Sequence, residues 1–228
     1  MIVPWGWVAL RYAAAVGAGW YLINQVRKPS RWVGRPFLWM MNASHSGLTD
    51  WGLRHVQIDK NSRILDVGCG GGRTIEKLAA LASGGTVDGI DYAEGSVAES
   101  RARNARLIAA GRVGVQMAAV SRLPFEENTY DLVTAVETQY YWPDLPGDMR
   151  EILRVLKPGG TLIVVAESYG GGSTELLQRP VMKLLKSAIL SVEDQRKLFA
   201  GAGYCDVEIF EERSHGWICV AGKKGAVS

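Results

Sequence analysis

The 228-residue sequence has few cysteines and little net charge, and each shortage excludes a class of protein. The three cysteines show neither the spacing of a metal site nor that of a disulfide framework, so we expect a reduced, intracellular protein without a metal. With 26 basic and 23 acidic residues, the formal net charge is only +3. Such a balance gives no extended basic surface, and we therefore expect no nucleic-acid partner.

The apolar N-terminal segment lacks the features of a leader peptide or of a spanning helix. Its start is uncharged, Arg11 interrupts it, and the remaining apolar run over residues 12–23 is shorter than the roughly 20 residues that a membrane span needs. We predict a packed helix within a cap or lid formed by residues 1–60. An interfacial membrane anchor remains the alternative, which would add peripheral membrane contact to an otherwise cytoplasmic location.

Short β-rich runs alternate with helical stretches from Arg63 onward, and this alternation predicts the fold. Strands separated by helices form right-handed βαβ units around a parallel sheet. We expect an α/β domain over residues 61–228, with a doubly wound, mostly parallel seven-stranded sheet that ends in a hairpin. The predicted strands are 64–67, 86–91, 113–119, 130–136, 161–166, 204–211 and 217–221. The predicted helices are 74–81, 95–110, 146–156, 173–188 and 191–200.

A glycine-rich turn follows the first predicted strand, where open parallel sheets bind their ligands. Asp66 lies inside the apolar strand, and Gly68, Gly70, Gly71 and Gly72 follow it. Glycines allow a backbone to approach a ligand closely, although a merely tight strand–helix turn would need them too. Asp91 ends the second strand, where it can accept the hydroxyls of a ribose or cap the next helix.

Four motifs in register resemble class I S-adenosylmethionine-dependent methyltransferases, most of all the small-molecule group that includes quinone and sterol methyltransferases. The resemblance covers about residues 61–167. The motifs are Ile64-Leu-Asp-Val-Gly-Cys-Gly-Gly-Gly-Arg-Thr74, Val87-Asp-Gly-Ile-Asp-Tyr92, Leu123-Pro-Phe125 and Arg154-Val-Leu-Lys-Pro-Gly-Gly160. Their glycines do not give the G-x-G-x-x-G spacing of dinucleotide-binding proteins.

The resemblance implies S-adenosylmethionine as the cofactor and assigns residues to its parts. The methionine part would lie against Asp66, Gly68 and Gly70, with Cys69 in the same turn. Asp91 would hold the ribose, and Tyr92 would lie against the adenine.

The stretch from Ala119 through Val120 to Ser121 would flank the adenine edge. Many relatives have an aspartate where Ala119 stands, so the backbone of Val120 or the hydroxyl of Ser121 would take over that contact. In the cap, Asp50 and Trp51 would close over the cofactor. Thr49 or Asp50 is also the predicted N-cap of a short helix that ends at Val56.

Candidates for the chemistry lie after the fourth strand and in the cap. Glu137 would face the transfer site, where it orients the substrate, contacts the cofactor or acts as a base; pairing with Arg54 is the alternative. Tyr140 would line an aromatic pocket or stabilise cationic character, unless it only packs in the core. His45 titrates near neutrality and is a candidate base, although a lone histidine is more often structural.

The expected function is methyl transfer to a small, apolar or aromatic acceptor by in-line displacement in a site that excludes water. The alternatives are an RNA or protein methyltransferase and a non-catalytic module that binds S-adenosylmethionine. Neither a basic stripe nor an Asn/Asp-Pro-Pro-aromatic signature after the fourth strand supports the first of these alternatives.

Overall fold

The computed structural model describes residues 46–167, 169–172 and 189–226. The predicted N-terminal helix, His45 and the predicted helix over residues 173–188 lie outside these residues, as does most of the predicted cap. Among the described residues, no helix has both the length and the apolar character needed to cross a membrane.

Seven strands form a single sheet with the order β3-β2-β1-β4-β5-β7-β6. The first five strands are parallel to their neighbours, whereas β7 runs antiparallel to both β5 and β6. This arrangement confirms the predicted doubly wound α/β fold with its C-terminal hairpin. The strands are β1 Arg63–Val67, β2 Thr86–Asp91, β3 Val113–Met117, β4 Tyr130–Val136, β5 Leu156–Ala166, β6 Tyr204–Glu212 and β7 Trp217–Lys224.

Helices pack on both faces of the sheet because the central strands are apolar on both sides. In β5, Leu162 and Val164 belong to one core layer, while Ile163 and Val165 belong to the other, as the two-residue period of a strand requires. The described helices are α1 Ser46–Leu53, α2 Arg73–Leu81, α3 Glu94–Arg103, α4 Ala105–Ala109, α5 Leu145–Val155 and α6 Val192–Ala202, together with a 3₁₀ turn over Gln139–Tyr141.

The prediction of one continuous helix over residues 95–110 was wrong. Asn104 separates α3 from α4, and its side-chain amide donates to the carbonyl oxygen of Gly72 in the glycine turn. A tertiary contact therefore interrupts a stretch whose local sequence favours a helix. Gly111 follows the last helical turn with a φ of 69°.

The predicted cap of the first described helix was also wrong. Helix α1 begins at Ser46 and ends at Leu53, so Thr49 and Asp50 lie inside it. Lys77 of α2 holds its start, since the ammonium group donates to the carbonyl oxygen and the hydroxyl of Ser46, both at 2.9 Å, and pairs with Asp50.

Five strand boundaries differ from the predicted ones, those of β1 and β6 by a single residue each and those of β3, β5 and β7 by more. Strand β5 begins at Leu156, which pairs with Tyr130 across a shift in register, so the stretch from Lys157 to Gly160 lies within an irregular strand rather than before it. Strand β3 ends at Met117, because its pairing with β2 ends where Asp91 lies opposite Met117. Ala119 is therefore in the loop that follows.

Candidate functional site

A cavity of about 350 Å³ opens at the carboxyl ends of β1, β2 and β4. This is where parallel sheets of this topology bind ligands. The residues of its wall come from the glycine turn, the ends of β2 and β4, the loop after β3, and α1. They are Ser46, Thr49, Val67, Gly68, Cys69, Gly70, Gly71, Arg73, Thr74, Ile90, Asp91, Tyr92, Ser96, Ala118, Ala119, Val120, Val136, Glu137, Thr138, Tyr141, Trp142 and Pro143.

The glycine turn is fixed against β2 by backbone hydrogen bonds. The N–H groups of Gly68 and Cys69 both donate to the carbonyl oxygen of Ile90, at 2.8 and 2.9 Å. Gly68 has a φ of 75°, and a Cβ there would lie 2.4 Å from the hydroxyl of Thr138. Both the backbone conformation and the close approach of Thr138, which follows β4, therefore require glycine at this position.

Asp91 connects the glycine turn to the start of α3. One carboxylate oxygen accepts from the N–H of Gly70 at 3.0 Å, and the other accepts from the N–H of Ala93 at 2.8 Å. Burial raises the pKa of this carboxyl group, and hydrogen bonds from Ala93, Gly70 and Ser96 oppose the shift. The side chain of Asp91 thus bonds to the N-cap residue Ala93 rather than capping α3 itself, and Asp91 lines the cavity.

Asp66 lies directly behind the cavity wall and is 2% exposed. Its Oδ1 accepts from the hydroxyl of Thr134 at 2.7 Å, whereas its Oδ2 has no hydrogen-bond partner. Burial raises the pKa of Asp66 to about 7, the hydroxyl of Thr134 lowers it, and the nearby Asp91 carboxylate raises it further. A carboxyl group this deeply buried with an unpartnered oxygen is costly unless a ligand compensates.

Glu137 joins the ends of β4 and β5. Its Oε1 accepts from the backbone N–H of Glu167 at 2.5 Å and from the hydroxyl of Tyr140 at 3.1 Å. The residue has a φ of 58°, which is uncommon outside glycine, asparagine and aspartate, and the strained turn brings its side chain to the cavity wall. The structure therefore brings Glu137 and Tyr140 together, but only Glu137 reaches the wall.

The three aromatic residues after β4 all pack on the core, and two of them also line the cavity. Trp142 lines the cavity and donates from its indole Nε1 to the hydroxyl of Thr138 at 3.1 Å. Tyr141 also lines the cavity, with its ring centroid 6.0 Å from that of Tyr140. Tyr140 itself is 7% exposed and belongs to the hydrophobic core.

The remaining predicted residues fall into two groups. Tyr92, Ala119 and Val120 line the cavity. Ser121 does not line it, and its hydroxyl is a hydrogen-bond partner of Asp148. Trp51 was predicted to close over the cofactor, but it packs in the core, with its ring centroid 5.9 Å from that of Trp217.

Several cavity residues were missed from the sequence. Ser46 and Thr49 reach the wall because α1 packs on β5 and β7, more than a hundred residues further along the chain, and no local pattern signals this contact. Ser96 was within reach of sequence reasoning, since it lies one helical turn after the acidic end of β2. Arg73 stands inside the quoted glycine motif and directly follows the last glycine.

Residues 65–164 match the family model described as "Methyltransferase domain". This match confirms the resemblance predicted from the four motifs. Over these residues the chain is similar to methyltransferase domains, and the curated proteins to which it is similar include an O-methyltransferase, a sterol 4-C-methyltransferase and demethylmenaquinone methyltransferases.

Two relatives and one solved structure illustrate the similarity. A demethylmenaquinone methyltransferase of Symbiobacterium thermophilum is 38% identical over 106 residues, which is 46% of this chain and 42% of that protein. Methyltransferase GfsG of Streptomyces halstedii is 33% identical over 119 residues, 51% of this chain and 42% of that protein. The chain thus spans less than half of the length of both relatives.

The similarity in structure extends over more of the chain than the similarity in sequence. A solved complex between the Haloferax volcanii Trm112 methyltransferase activator and a putative methyltransferase matches with a TM-score of 0.73 and 20% identity, over 85% of this chain and 96% of that chain. At this identity the comparison establishes the fold.

Proposed function

We propose that the chain binds S-adenosylmethionine in the cavity and transfers its methyl group to a small acceptor. The observation that carries the proposal is the joint position of the glycine turn and Asp91, which line one cavity and share the hydrogen bond from Gly70. The carboxylate of Asp91 would accept hydrogen bonds from the hydroxyls of the ribose, and Tyr92 would lie beside the adenine. Several solved proteins of this fold are described as complexes with this cofactor or with S-adenosylhomocysteine.

The residues present fit such a cofactor. No atom lies within 4 Å of where a Cβ on Gly70 would be, so the turn leaves room for a ligand beside its backbone. The unpartnered Oδ2 of Asp66, behind the turn, suits a ligand with a positively charged amino group. When bound, the cofactor supplies a methyl group that is activated by a positively charged sulfur.

The acceptor would enter between α1 and the end of β4. Tyr141, Trp142 and Pro143 form an aromatic and apolar wall there, and Thr49 of α1 contributes to the same cavity. Such a wall suits a small apolar or aromatic acceptor and excludes water from the transfer site.

The residues of the chain would act mainly by positioning. They would hold the acceptor so that its electron pair faces the methyl carbon that the bound cofactor would supply. Holding the acceptor in line with the bond between that carbon and sulfur provides much of the rate. Glu137 would orient the acceptor, or take its proton where the acceptor has one to lose, while Tyr140 and the N–H of Glu167 hold its carboxylate in place.

We further propose that residues 1–60 form a cap over this cavity. The support is α1, whose residues Ser46 and Thr49 form part of the cavity wall. His45 directly precedes Ser46 in the chain, so it remains the candidate base of the cap. Comparing His45→Ala with the wild type in the assay below tests this role.

The first experiment is calorimetry with S-adenosylmethionine and S-adenosylhomocysteine, followed by a screen of small acceptors with a methyl-labelled cofactor. Binding together with label transfer to a small apolar or aromatic molecule supports the proposal. Transfer only to RNA or protein would favour the macromolecular alternative, and binding without any transfer would favour a non-catalytic module. Absence of binding would overturn the proposal as a whole.

Asp91→Asn tests the assignment of the ribose site. Loss of the charged acceptor should weaken cofactor binding at least about tenfold, because hydrogen bonds to charged groups contribute roughly 1.5–3 kcal/mol each. Asp88→Asn is the matched control on the same strand, since Asp88 accepts from Tyr130 and does not line the cavity. Equal dissociation constants for the two variants would show that Asp91 does not hold the cofactor.

A further inference from the structure

Two side chains at the end of α3 hold the outer carbonyl groups of the glycine turn. The amide nitrogen of Asn104 donates to the carbonyl oxygens of Gly72 and of Ser100, both at 3.0 Å. The Nε of Arg103 donates to the carbonyl oxygen of Gly71 at 3.0 Å. Neither Asn104 nor Arg103 lines the cavity, so both reach the turn from outside the ligand site.

These contacts support the direction of the N–H groups in the turn, together with the bond from the N–H of Glu76 to the carbonyl oxygen of Gly72. A trans peptide unit is planar, with its carbonyl and N–H pointing in opposite directions. Fixing the carbonyl of Gly71 therefore fixes the N–H of Gly72, which donates to Cys69 at 2.9 Å. Fixing the carbonyl of Gly72 fixes the N–H of Arg73, a residue of the cavity wall, in the opposite direction from Asn104.

The packing around Asn104 is close and has a cost. Gly72 has a φ of 77°, and a Cβ there would lie 2.4 Å from the hydroxyl of Ser100 and 2.6 Å from the amide nitrogen of Asn104. Asn104 is 1% exposed, and its Oδ1 has no hydrogen-bond partner. An apolar side chain of similar shape would avoid the unpartnered oxygen, so the amide is poorly explained by stability alone.

We propose that Asn104 and Arg103 are positioning residues that hold the glycine turn in the conformation that binds the cofactor. The inference rests on the proposed function, because the affinity in question is that for S-adenosylmethionine. Asn104 stands at the break between α3 and α4, and its amide reaches the glycine turn from there.

The test compares Asn104→Leu and Arg103→Met with the wild type, using the dissociation constant of S-adenosylhomocysteine and the Tm of the free protein. Leucine keeps the branched shape of asparagine. In Asn104→Leu, both carbonyl oxygens that lose the side-chain amide keep a backbone hydrogen bond. The oxygen of Gly72 accepts from the N–H of Glu76, and the oxygen of Ser100 accepts from the backbone N–H at position 104. We expect each variant to bind about five- to tenfold more weakly, the effect of one hydrogen bond, with little change in Tm.

Arg112→Met is the matched control for a purely structural arginine. The guanidinium of Arg112 donates to the carbonyls of Ala79, Ser83 and Gly85 at the end of α2, and it does not line the cavity. Its loss should lower the Tm and leave the dissociation constant unchanged. This is the reverse of the pattern expected for Asn104 and Arg103.

The outcomes separate the inference from the proposed function. If the wild type does not bind S-adenosylhomocysteine, both are overturned. If the wild type binds and Asn104→Leu and Arg103→Met bind within twofold of it, only the inference is overturned. Should Asn104→Leu fail to fold, Arg103→Met decides alone, because its side chain is 29% exposed and its replacement leaves the packing around Asn104 intact.

Discussion

Burial of Asp66 links the stability of the free chain to pH. The pKa of this carboxyl group is about 7 in the folded state, against an ordinary value of 3.8, so the folded state binds the proton more tightly than the unfolded state does. The resulting contribution to stability is full below the unfolded pKa and is lost as the pH rises through 7. Above that pH, the folded chain holds an ionised carboxylate with one unpartnered oxygen.

Asp66→Asn should therefore stabilise the free protein at about pH 8 and have little effect at about pH 4. The difference in the free energy of unfolding should grow by up to about 1.4 kcal/mol for each pH unit between these limits. Urea unfolding at a series of pH values measures it. Glu208→Gln, at an exposed position of β6, should show no such trend, and a similar trend in both variants would refute the explanation.

Glu137→Gln should lower turnover about 100-fold with the acceptor that the screen identifies, as expected for loss of a group that orients or deprotonates it. The dissociation constant of S-adenosylhomocysteine should stay within about threefold, since glutamine keeps the shape and the acceptor oxygen. Tyr140→Phe removes one of the hydrogen bonds to Glu137 and should have a smaller effect in the same direction. Wild-type turnover in Glu137→Gln would exclude Glu137 from the chemistry.

Residues of the glycine turn could be predicted because their chemistry is local. Gly68 is the first residue after β1 and Asp91 is the last residue of β2, and the structure brings both into one cavity. The position of Trp51 could not be predicted in the same way. Whether an aromatic side chain of α1 faces the cavity or Trp217 depends on how the helix is rotated against β7, and sequence spacing alone leaves that rotation open.

Helix α1 lies unusually close to β5, and a glycine makes this possible. A Cβ on Gly52 would lie 2.5 and 2.8 Å from the two methyl carbons of Val165, closer than atoms in a packed core allow. Because Ser46 and Thr49 of the same helix line the cavity, this contact also sets one wall of the site.

Gly52→Ala should destabilise the protein by about 1–3 kcal/mol, the usual effect of overpacking a core. Gly47→Ala is the control in the same helix, since its Cβ would lie 3.5 Å from Trp217, an ordinary contact. That variant should be neutral or up to about 1 kcal/mol more stable, because alanine favours helices. Denaturant unfolding compares the two, and equal stabilities would contradict the packing argument.

At the scale of helices and strands, the sequence predicted the elements whose hydrophobic periodicity is clear. It did not predict the element boundaries that depend on contacts with residues far away in the chain. The alternation of apolar runs and helical stretches predicted the strands of the parallel sheet and its C-terminal hairpin. The break at Asn104 depends on Gly72, 32 residues earlier in the chain, so the local sequence shows only a helix. Likewise, the early start of β5 depends on the pairing of Leu156 with Tyr130.

Over the whole molecule, the candidate ligand site and several structural hydrogen bonds and ion pairs lie at opposite ends of the sheet. The cavity lies at the carboxyl ends of the parallel strands, while Arg112 and the ion pair between Lys157 and Asp131 lie near their opposite ends. Substitutions of Arg112 and of Asn104 should therefore affect different measurements. The comparison of Asn104→Leu with Arg112→Met, by dissociation constant and by Tm, is based on this difference in position.

The position of β7 has a consequence for how the chain is made. Strand β7 lies between β5 and β6, although it is synthesised after both of them. Until residues 217–224 have left the ribosome, the backbone of β5 lacks its second neighbour and β6 has no partner in the sheet. From the synthesis of β5 until that of β7, the nascent chain thus carries open strand edges, which are prone to aggregation.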